Sequence, residues 1–178
     1  MKLCHLTLAA CLAAAVLLNS SAAAQSTPPP GYNWIQNPAN GHYYALTTSM
    51  SWTGAAAEAD ALGTSTEMAT IRNQAEQDWI HVTFPSPPWI WIGLTDQAIE
   101  GTWVWRSGEP VAFTAWHSGE PNNLGNEDYG HLKDAQRLWN DLADNGGPFP
   151  ALLEWTGAPA GPAATERVSL RSTGACSV

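Results

Sequence analysis

Cysteine is nearly absent from this chain. Cys4 and Cys11 lie near the start and Cys176 near the end, so residues 12–175 contain none. A domain built from that span has no internal disulfide and must be held by its core and by any metal it binds. Basic residues are also scarce, 7 Lys and Arg against 16 Asp and Glu. That balance disfavours nucleic acid and anionic membrane surfaces, since both are bound by Lys and Arg neutralising phosphate. Long apolar runs are missing too, except for Leu6 to Leu18 near the start. With Lys2 before that run and Ala22-Ala23-Ala24 after it, residues 1–24 read as a secretory signal, shorter than the ~20 residues of a membrane span. Leu8-Ala9-Ala10-Cys11 has the residue types of a lipid-attachment site, but most of the apolar run follows Cys11. Without residues 1–24 the remaining 154 carry six basic and sixteen acidic side chains, a formal −10.

Tryptophan, by contrast, is abundant: ten, all between residues 34 and 155. Such bulky core material marks the extent of the globular part. Residues 25–33 (Q-S-T-P-P-P-G-Y-N) form a proline-rich lead-in expected to be extended or disordered. Residues 156–178 are low in bulky apolar side chains and are expected to be a flexible tail. One domain over 34–155 is therefore expected.

Within it, Asn40-Gly41 is a turn before a strand at Tyr43–Leu46. Ser51 caps a helix burying Trp52, Ala55, Ala56, Ala59 and Leu62, with Gly63 ending it. A strand candidate at Met68–Ile71 precedes a second helix, capped by Asn73 with Glu76 reaching back, that should bury Ala75, Trp79 and Val82. Prolines at 85, 87 and 88 stop it. Trp89–Leu94 reads as a strand buried on both faces and Thr102–Trp105 as a second aromatic strand. Residues 106–127 are irregular and rich in Gly, Pro and Asn, with Phe113 and Trp116 as apolar anchors, which favours an ordered functional loop. Short strands at Tyr129–Leu132, Leu138-Trp139 and Leu152–Trp155 close the domain. Helices early and strands late give an α+β class, with Trp91, Trp103, Trp105 and Trp139 in the core and His117 and His131 without a special role.

The stretch Trp116–Asp141 concentrates carboxylates, side-chain amides and a proline. Calcium takes six to eight oxygen ligands, and Glu120, Asn122, Glu127, Asn140 and Asp141 could supply most of them. A cis bond at Glu120-Pro121 would let the side chains on either side address one ion. Nine of the 16 acidic residues lie between Asp96 and Asp144. An acidic surface kept for solubility accounts for the total but not for the clustering.

Several ordered segments resemble the C-type lectin-like family: W-x-x-A at Trp52, A-T-I at Ala69–Ile71, W-I-G-L at Trp91–Leu94, G-x-W-x-W at Gly101–Trp105, E-P-N at Glu120–Asn122 and W-N-D at Trp139–Asp141. The resemblance spans roughly residues 34–155. It implies a fold of two helices with small antiparallel sheets and a long calcium-binding loop. It also implies that Glu120, Asn122, Glu127, Asn140 and Asp141 hold a calcium ion that coordinates vicinal sugar hydroxyls, so glycans are the implied partners. The E-P-N order resembles the mannose type, whereas Q-P-D is the galactose type. A second, structural calcium site is implied at Asp96, Glu100, Asn123, Glu127 and Asp128. The chain departs from the family in its usual disulfides: Ala59 and Leu153 stand for one pair, Tyr129 and Asp144 for the other. That leaves the site loops expected to be held by calcium and Trp packing alone.

The reading is therefore a secreted calcium-dependent lectin and not an enzyme. A protein-binding or ice-binding module on the same fold is the alternative. A hydrolase using Glu120 and Asp141 as acid and base is disfavoured because carboxylates in a calcium shell are already engaged.

Overall fold

A computed structural model describes residues 27–133 and 135–157. The expected signal (1–24), most of the expected tail (156–178) and all three cysteines lie outside the described residues. Two helices and eight strands follow one another as β1 (Ile35–Gln36), β2 (Tyr43–Leu46), α1 (Trp52–Ala61), β3 (Thr66–Met68), α2 (Gln74–Thr83), β4 (Ile90–Thr95), β5 (Val104–Trp105), β6 (Tyr129–Lys133), β7 (Leu138–Leu142) and β8 (Leu152–Trp155). They make an α+β fold of two antiparallel four-stranded sheets, ordered β1-β2-β8-β3 and β5-β4-β6-β7. Placing β8 between β2 and β3 joins the two ends of the domain.

The apolar run of β4 is explained by what lies on its two sides. Ile90, Ile92 and Leu94 enter one core cluster with Ile80, Leu132, Trp139 and Leu152, whereas Trp91 enters the other with Trp52, Met68 and Tyr129. Alternate side chains of a strand point to opposite faces, so a strand between two cores needs no polar face. Gly93 interrupts the run where sheets meet: a Cβ there would lie 2.6 Å from the Met68 carbonyl oxygen. No larger residue fits that approach.

Helix α1 forms as its sequence dictates. The Ser51 hydroxyl accepts from Gly54 N–H at 3.1 Å, and Trp52, Ala55, Ala56 and Ala59 are buried, while Leu62, the C-cap, is half-buried. Gly63 follows the C-cap at φ 101°. Helix α2 begins at the expected cap, with Asn73 Oδ1 accepting from Glu76 N–H at 3.0 Å. Its inward face differs from expectation. Glu76, Gln77 and Ile80 are buried, Trp79 is half-buried, and Ala75 and Val82 are exposed, Val82 at 76%. The polar pair is drawn inward by partners elsewhere in the chain. Gln77 donates to the Arg137 carbonyl and accepts from Trp139 Nε1, while Glu76 accepts from the Tyr44 hydroxyl at 2.5 Å. Glu76 reaches back to Arg72 N–H at 2.9 Å, one residue beyond the cap.

Other differences are local. β3 runs Thr66–Met68 and shares only Met68 with the expected Met68–Ile71, β5 is confined to Val104–Trp105, and β7 runs on through Asn140 and Asp141 to Leu142. Trp103 is half-buried, while Trp91, Trp105 and Trp139 are buried. The described part of the lead-in docks: Pro29 is buried, its carbonyl accepts from Trp34 Nε1 at 2.7 Å, and Tyr32 donates to Glu58.

Candidate functional site

β6 and β7 pair in a register that sets Gly130 opposite Asp141 and His131 opposite Asn140. Before them, Trp116 bridges to Trp139, and His117 N–H donates to the Trp139 carbonyl at 2.8 Å. Trp116 packs edge-on against Trp103 and Trp139, which anchors the irregular segment as its aromatic content suggests. From that anchor the chain passes through a cis Glu120-Pro121 bond to the loop ahead of β6.

The five principal candidates meet here. The Asp141 carboxylate, fully buried, accepts from Asn122 N–H at 3.0 Å and Asn123 N–H at 2.7 Å. Asn122 Nδ2 donates to Glu120, and Asn122 Oδ1 accepts from Leu124 N–H at 2.8 Å. Glu127 accepts from the same Leu124 N–H at 3.0 Å, and its own N–H donates to Asn123 Oδ1 at 2.7 Å. Asn140 is fixed from its nitrogen side, since Nδ2 donates to His131 Nε2 at 3.1 Å and to the Asp141 carbonyl. Its Oδ1 accepts from Lys133 Nζ at 3.2 Å, and the same ammonium lies 3.7 Å from Glu120 Oε1.

Two of these participants were invisible in the sequence. His131 is buried, and its ring orients the Asn140 amide, so it has a task that its place in a strand did not reveal. Lys133 is the cation that brackets Glu120 and Asn140. Only the β6–β7 register, which depends on the turn between them, could have signalled either residue.

The second group gathers one loop away. Asp96 N–H donates to the Asp128 carbonyl at 3.2 Å, and Asp96 Oδ2 accepts from Gly101 N–H at 2.8 Å. Asp128 also accepts from Asn126 Nδ2 at 3.0 Å, and Asn123 joins the group through its bond to Glu127. Burial, with the charges of Asp128 and Asp141, raises the Asp96 pKa. Desolvation and the charges of Asp96, Asp128 and Asp141 raise that of Glu100. Glu127 is raised by burial and by Asp141 and Glu120, against the opposing Leu124 N–H and Lys133. The charge of Asp141 thus acts on both groups.

The donors fit a hard divalent cation, since the side-chain ligands are carboxylate and amide oxygens. Asp96 Oδ1 is buried without a hydrogen-bond partner, an arrangement a cation would satisfy. Among the described residues, however, no group of three His, Cys, Asp or Glu is arranged to hold a metal ion. Several of the carboxylate oxygens engage the loop's own N–H groups instead.

The C-type lectin domain model matches residues 48–148. Lectin BRA-3 of Megabalanus rosa is 38% identical over 92 residues, 51% of this chain and 56% of that one. An α-N-acetylgalactosamine-specific lectin of Patiria pectinifera is 41% identical over 68 residues, 36% of this chain and 40% of that one. The chain spans about half the length of the curated relatives it matches. Among solved structures, C-type lectin CEL-I from Cucumaria echinata aligns at TM-score 0.64 and 26% identity, over 70% of this chain and 96% of that one. A calcium-independent type II antifreeze protein aligns at TM-score 0.64 over 74% of this chain and 96% of that one, but at 22% identity it speaks to the fold alone. No helix among the described residues is long and apolar enough to cross a membrane.

Proposed function

This chain belongs to the C-type lectin domain family, and we infer that it is a secreted carbohydrate-binding protein that holds sugar through calcium. The observation that carries the reading is the convergence of Glu120, Asn122, Glu127, Asn140 and Asp141 on one loop and strand end. Three carboxylates and two amides form a shell of formal charge −3 around an ion of +2. When bound, calcium supplies open coordination positions for two adjacent hydroxyls. Each hydroxyl can also donate to a carboxylate and accept from an amide. Asp96, Glu100, Asn123, Glu127 and Asp128 would hold a second, structural ion, whose charge would offset the mutual repulsion of these acids.

The E-P-N order at Glu120–Asn122 supports sugars with equatorial 3- and 4-hydroxyls, such as mannose. Membership alone does not set the sugar: one relative is by its name specific for α-N-acetylgalactosamine. We read Glu120 and Asp141 as ligands and not as a hydrolytic pair, because Asp141 already holds two backbone N–H groups and Glu120 is tied to Asn122.

Thermal melting in calcium, in chelator, and in calcium with mannose or galactose tests this reading. We expect calcium to raise the melting temperature and mannose to raise it further. No calcium shift would overturn the central claim, and a galactose preference would overturn the reading of E-P-N. Ligand binding that survives chelator would favour the protein-binding or ice-binding alternative.

A further inference from the structure

Asparagine is followed by glycine twice in this chain, at Asn40-Gly41 and Asn145-Gly146. We propose that Asn145 is a site of spontaneous covalent modification, deamidation to aspartate and isoaspartate, and that the isoaspartate form loosens the fastening of β7 to α1. Neither calcium nor sugar takes part.

The chemistry asks little of the protein. The Gly146 amide nitrogen gives up its proton and attacks the Asn145 side-chain carbonyl carbon. A carbon–nitrogen bond forms, closing a five-membered imide, and the side-chain carbon–nitrogen bond breaks as ammonia leaves, carrying that proton. Water then opens the imide at one carbonyl or the other, giving aspartate or isoaspartate. Nothing is oxidised or reduced, and water is the only co-reactant. Glycine favours the attack because it has no Cβ to shield the nitrogen or to restrict the backbone.

The fold treats the two pairs differently. Both asparagines are exposed, and the two glycine N–H groups are matched: Gly41 donates to the Asn37 carbonyl at 2.8 Å and Gly146 to the Ala143 carbonyl at 2.9 Å. The side chains decide. Asn40 Oδ1 accepts from His42 N–H at 3.0 Å, and Nδ2 donates to the Tyr44 hydroxyl at 2.9 Å and to Glu76 at 3.3 Å. The Asn40 amide is held at both ends and cannot turn onto Gly41 without breaking these bonds. Among the described residues, the Asn145 side chain has no hydrogen-bond partner to hold it back.

Packing fixes the labile pair. A Cβ at position 146 would lie 2.6 Å from Leu142 Cδ2 and 3.0 Å from the Ala143 carbonyl oxygen. Glycine is thus required after Asn145, and a bulkier neighbour that would shield its nitrogen does not fit.

Position gives the modification its effect. Residues 145–148 span two fastenings at the start of α1: the Asp144 carboxylate accepts from the Thr53 N–H and hydroxyl, and Phe149 exchanges backbone bonds with Met50 at 2.9 and 3.1 Å. Isoaspartate routes the main chain through the former side-chain carbonyl and adds one methylene to that span. Asp144 is joined directly to the altered residue, so its bonds to Thr53 are the first to be displaced. It follows β7 by two residues, so the loss reaches the strand that carries Asn140 and Asp141.

The test ages the full chain in warm, mildly alkaline buffer made with heavy-oxygen water, followed by peptide mass spectrometry. We expect label at residue 145, with isoaspartate identified by enzymatic methyl transfer. Conversion there should be on the order of tenfold faster than at Asn40, where about one to two hydrogen bonds must break first. In denaturant the two sites should convert at similar rates. Asn145→Gln should stop the reaction, because the longer side chain must close a less favourable six-membered ring. The isoaspartate form, separated by chromatography, should melt below the amide form by about the shift that Asp144→Ala causes. Asn145→Asp keeps the normal main chain and should melt with the parent. Conversion in the folded protein as fast at Asn40 as at Asn145 would overturn the assignment of the site. An isoaspartate form that melts with the amide form would overturn its effect on β7. Both measurements use the unsubstituted protein, so they decide even if a variant fails to fold.

Discussion

Asp144 closes on Thr53: its two carboxylate oxygens accept from the Thr53 N–H at 2.8 Å and hydroxyl at 2.7 Å, across 91 residues of sequence. One residue earlier, the Trp52 ring lies 4.5 Å from that of Tyr129. Tyr129 and Asp144 stand about where the family resemblance implies one of its disulfides. Here each is fastened to the first turn of α1, so the helix serves as a common anchor for both ends of the β6–β7 hairpin. Contrary to the expectation that only calcium and Trp packing hold the site loops, this end has a hydrogen-bonded clamp of its own. Ala59 and Leu153, at the other implied pair, are both buried in the same apolar cluster.

The clamp has a measurable consequence. Asp144 satisfies an N–H in the first turn of α1 and places a negative charge at the helix N-terminus, where the backbone dipole favours it. Asp144→Ala should destabilise the protein by ~1 kcal/mol, the usual effect of losing such a cap. For a domain of this size that is a fall of about 3–4 °C in melting temperature. Asp144→Asn should lose less, because an amide oxygen still accepts. Thermal melts of the two variants check the ordering.

A second set of predictions concerns the buried charges of the first sheet. Glu154 in β8 is almost wholly buried and meets Arg72 at 2.7 Å, His42 at 2.6 Å and Thr70 N–H at 3.0 Å. Burial opposes its charge, but His42, Arg72 and the Thr70 N–H outweigh burial and hold the carboxyl below the usual range. Arg72→Met strands Glu154 and Glu76 in the interior, and losing one partner of a buried pair destabilises by ~3–5 kcal/mol. Adding Glu154→Gln to that variant should recover part of the loss. A carboxyl whose folded pKa is depressed stabilises above its unfolded value and ceases to do so as pH falls through the folded one. Stability of the parent protein should therefore drop below the ordinary glutamate range, and Glu154→Gln should flatten that drop. Denaturant melts from neutral to acid pH measure both.

The same residues show how far the sequence could be read. α1 was legible because its cap, its alanine stripe and Gly63 act locally. Four of the five principal candidates stand out in the sequence because E-P-N and W-N-D carry their own chemistry, and Glu127 is added as the intervening carboxylate. The buried face of α2 was not, since apolar periodicity ranks Ala75 and Val82 inward and cannot see that Tyr44 and Trp139 supply polar partners for Glu76 and Gln77. His131 and Lys133 escaped for a related reason. Their roles arise from strand register and from the meeting of β4 with β6, which no local motif encodes.

Calcium binding should be linked to protons with the opposite sign to Glu154. Asp96, Glu100 and Glu127 have raised pKa values. Groups of this kind favour folding below the ordinary carboxylate range, and that contribution is lost as pH rises through their shifted values. Calcium requires them ionised, so its uptake should release protons in weakly acidic buffer, and the calcium-induced rise in melting temperature should shrink as pH falls toward the carboxylate range. Asp96→Asn should leave the metal-free protein at least as stable at neutral pH while weakening its calcium response. Titration calorimetry in buffers of different ionisation enthalpy counts the protons. A calcium response independent of pH would contradict the assignment of these acids to the sites.

The principal shell and the sugar choice separate cleanly by mutation. Asp141 accepts from both Asn122 N–H and Asn123 N–H and lies within the field of Asp96, Glu100 and Glu127. Asp141→Ala therefore removes a ligand and the brace of the loop together, and should abolish the calcium response. Glu120→Gln with Asn122→Asp keeps the number of oxygens and the total charge but exchanges the carboxylate and amide about Pro121. Each hydroxyl of a bound diol then meets a donor where it met an acceptor, so the pattern that suits equatorial 3- and 4-hydroxyls no longer does. Calcium affinity should stay within a few-fold of the parent, while the preference moves from mannose toward galactose. Melting shifts with each sugar at saturating calcium read the two effects independently. Loss of metal binding in the double variant would show that the order of carboxylate and amide sets the ion site itself and not the choice of sugar.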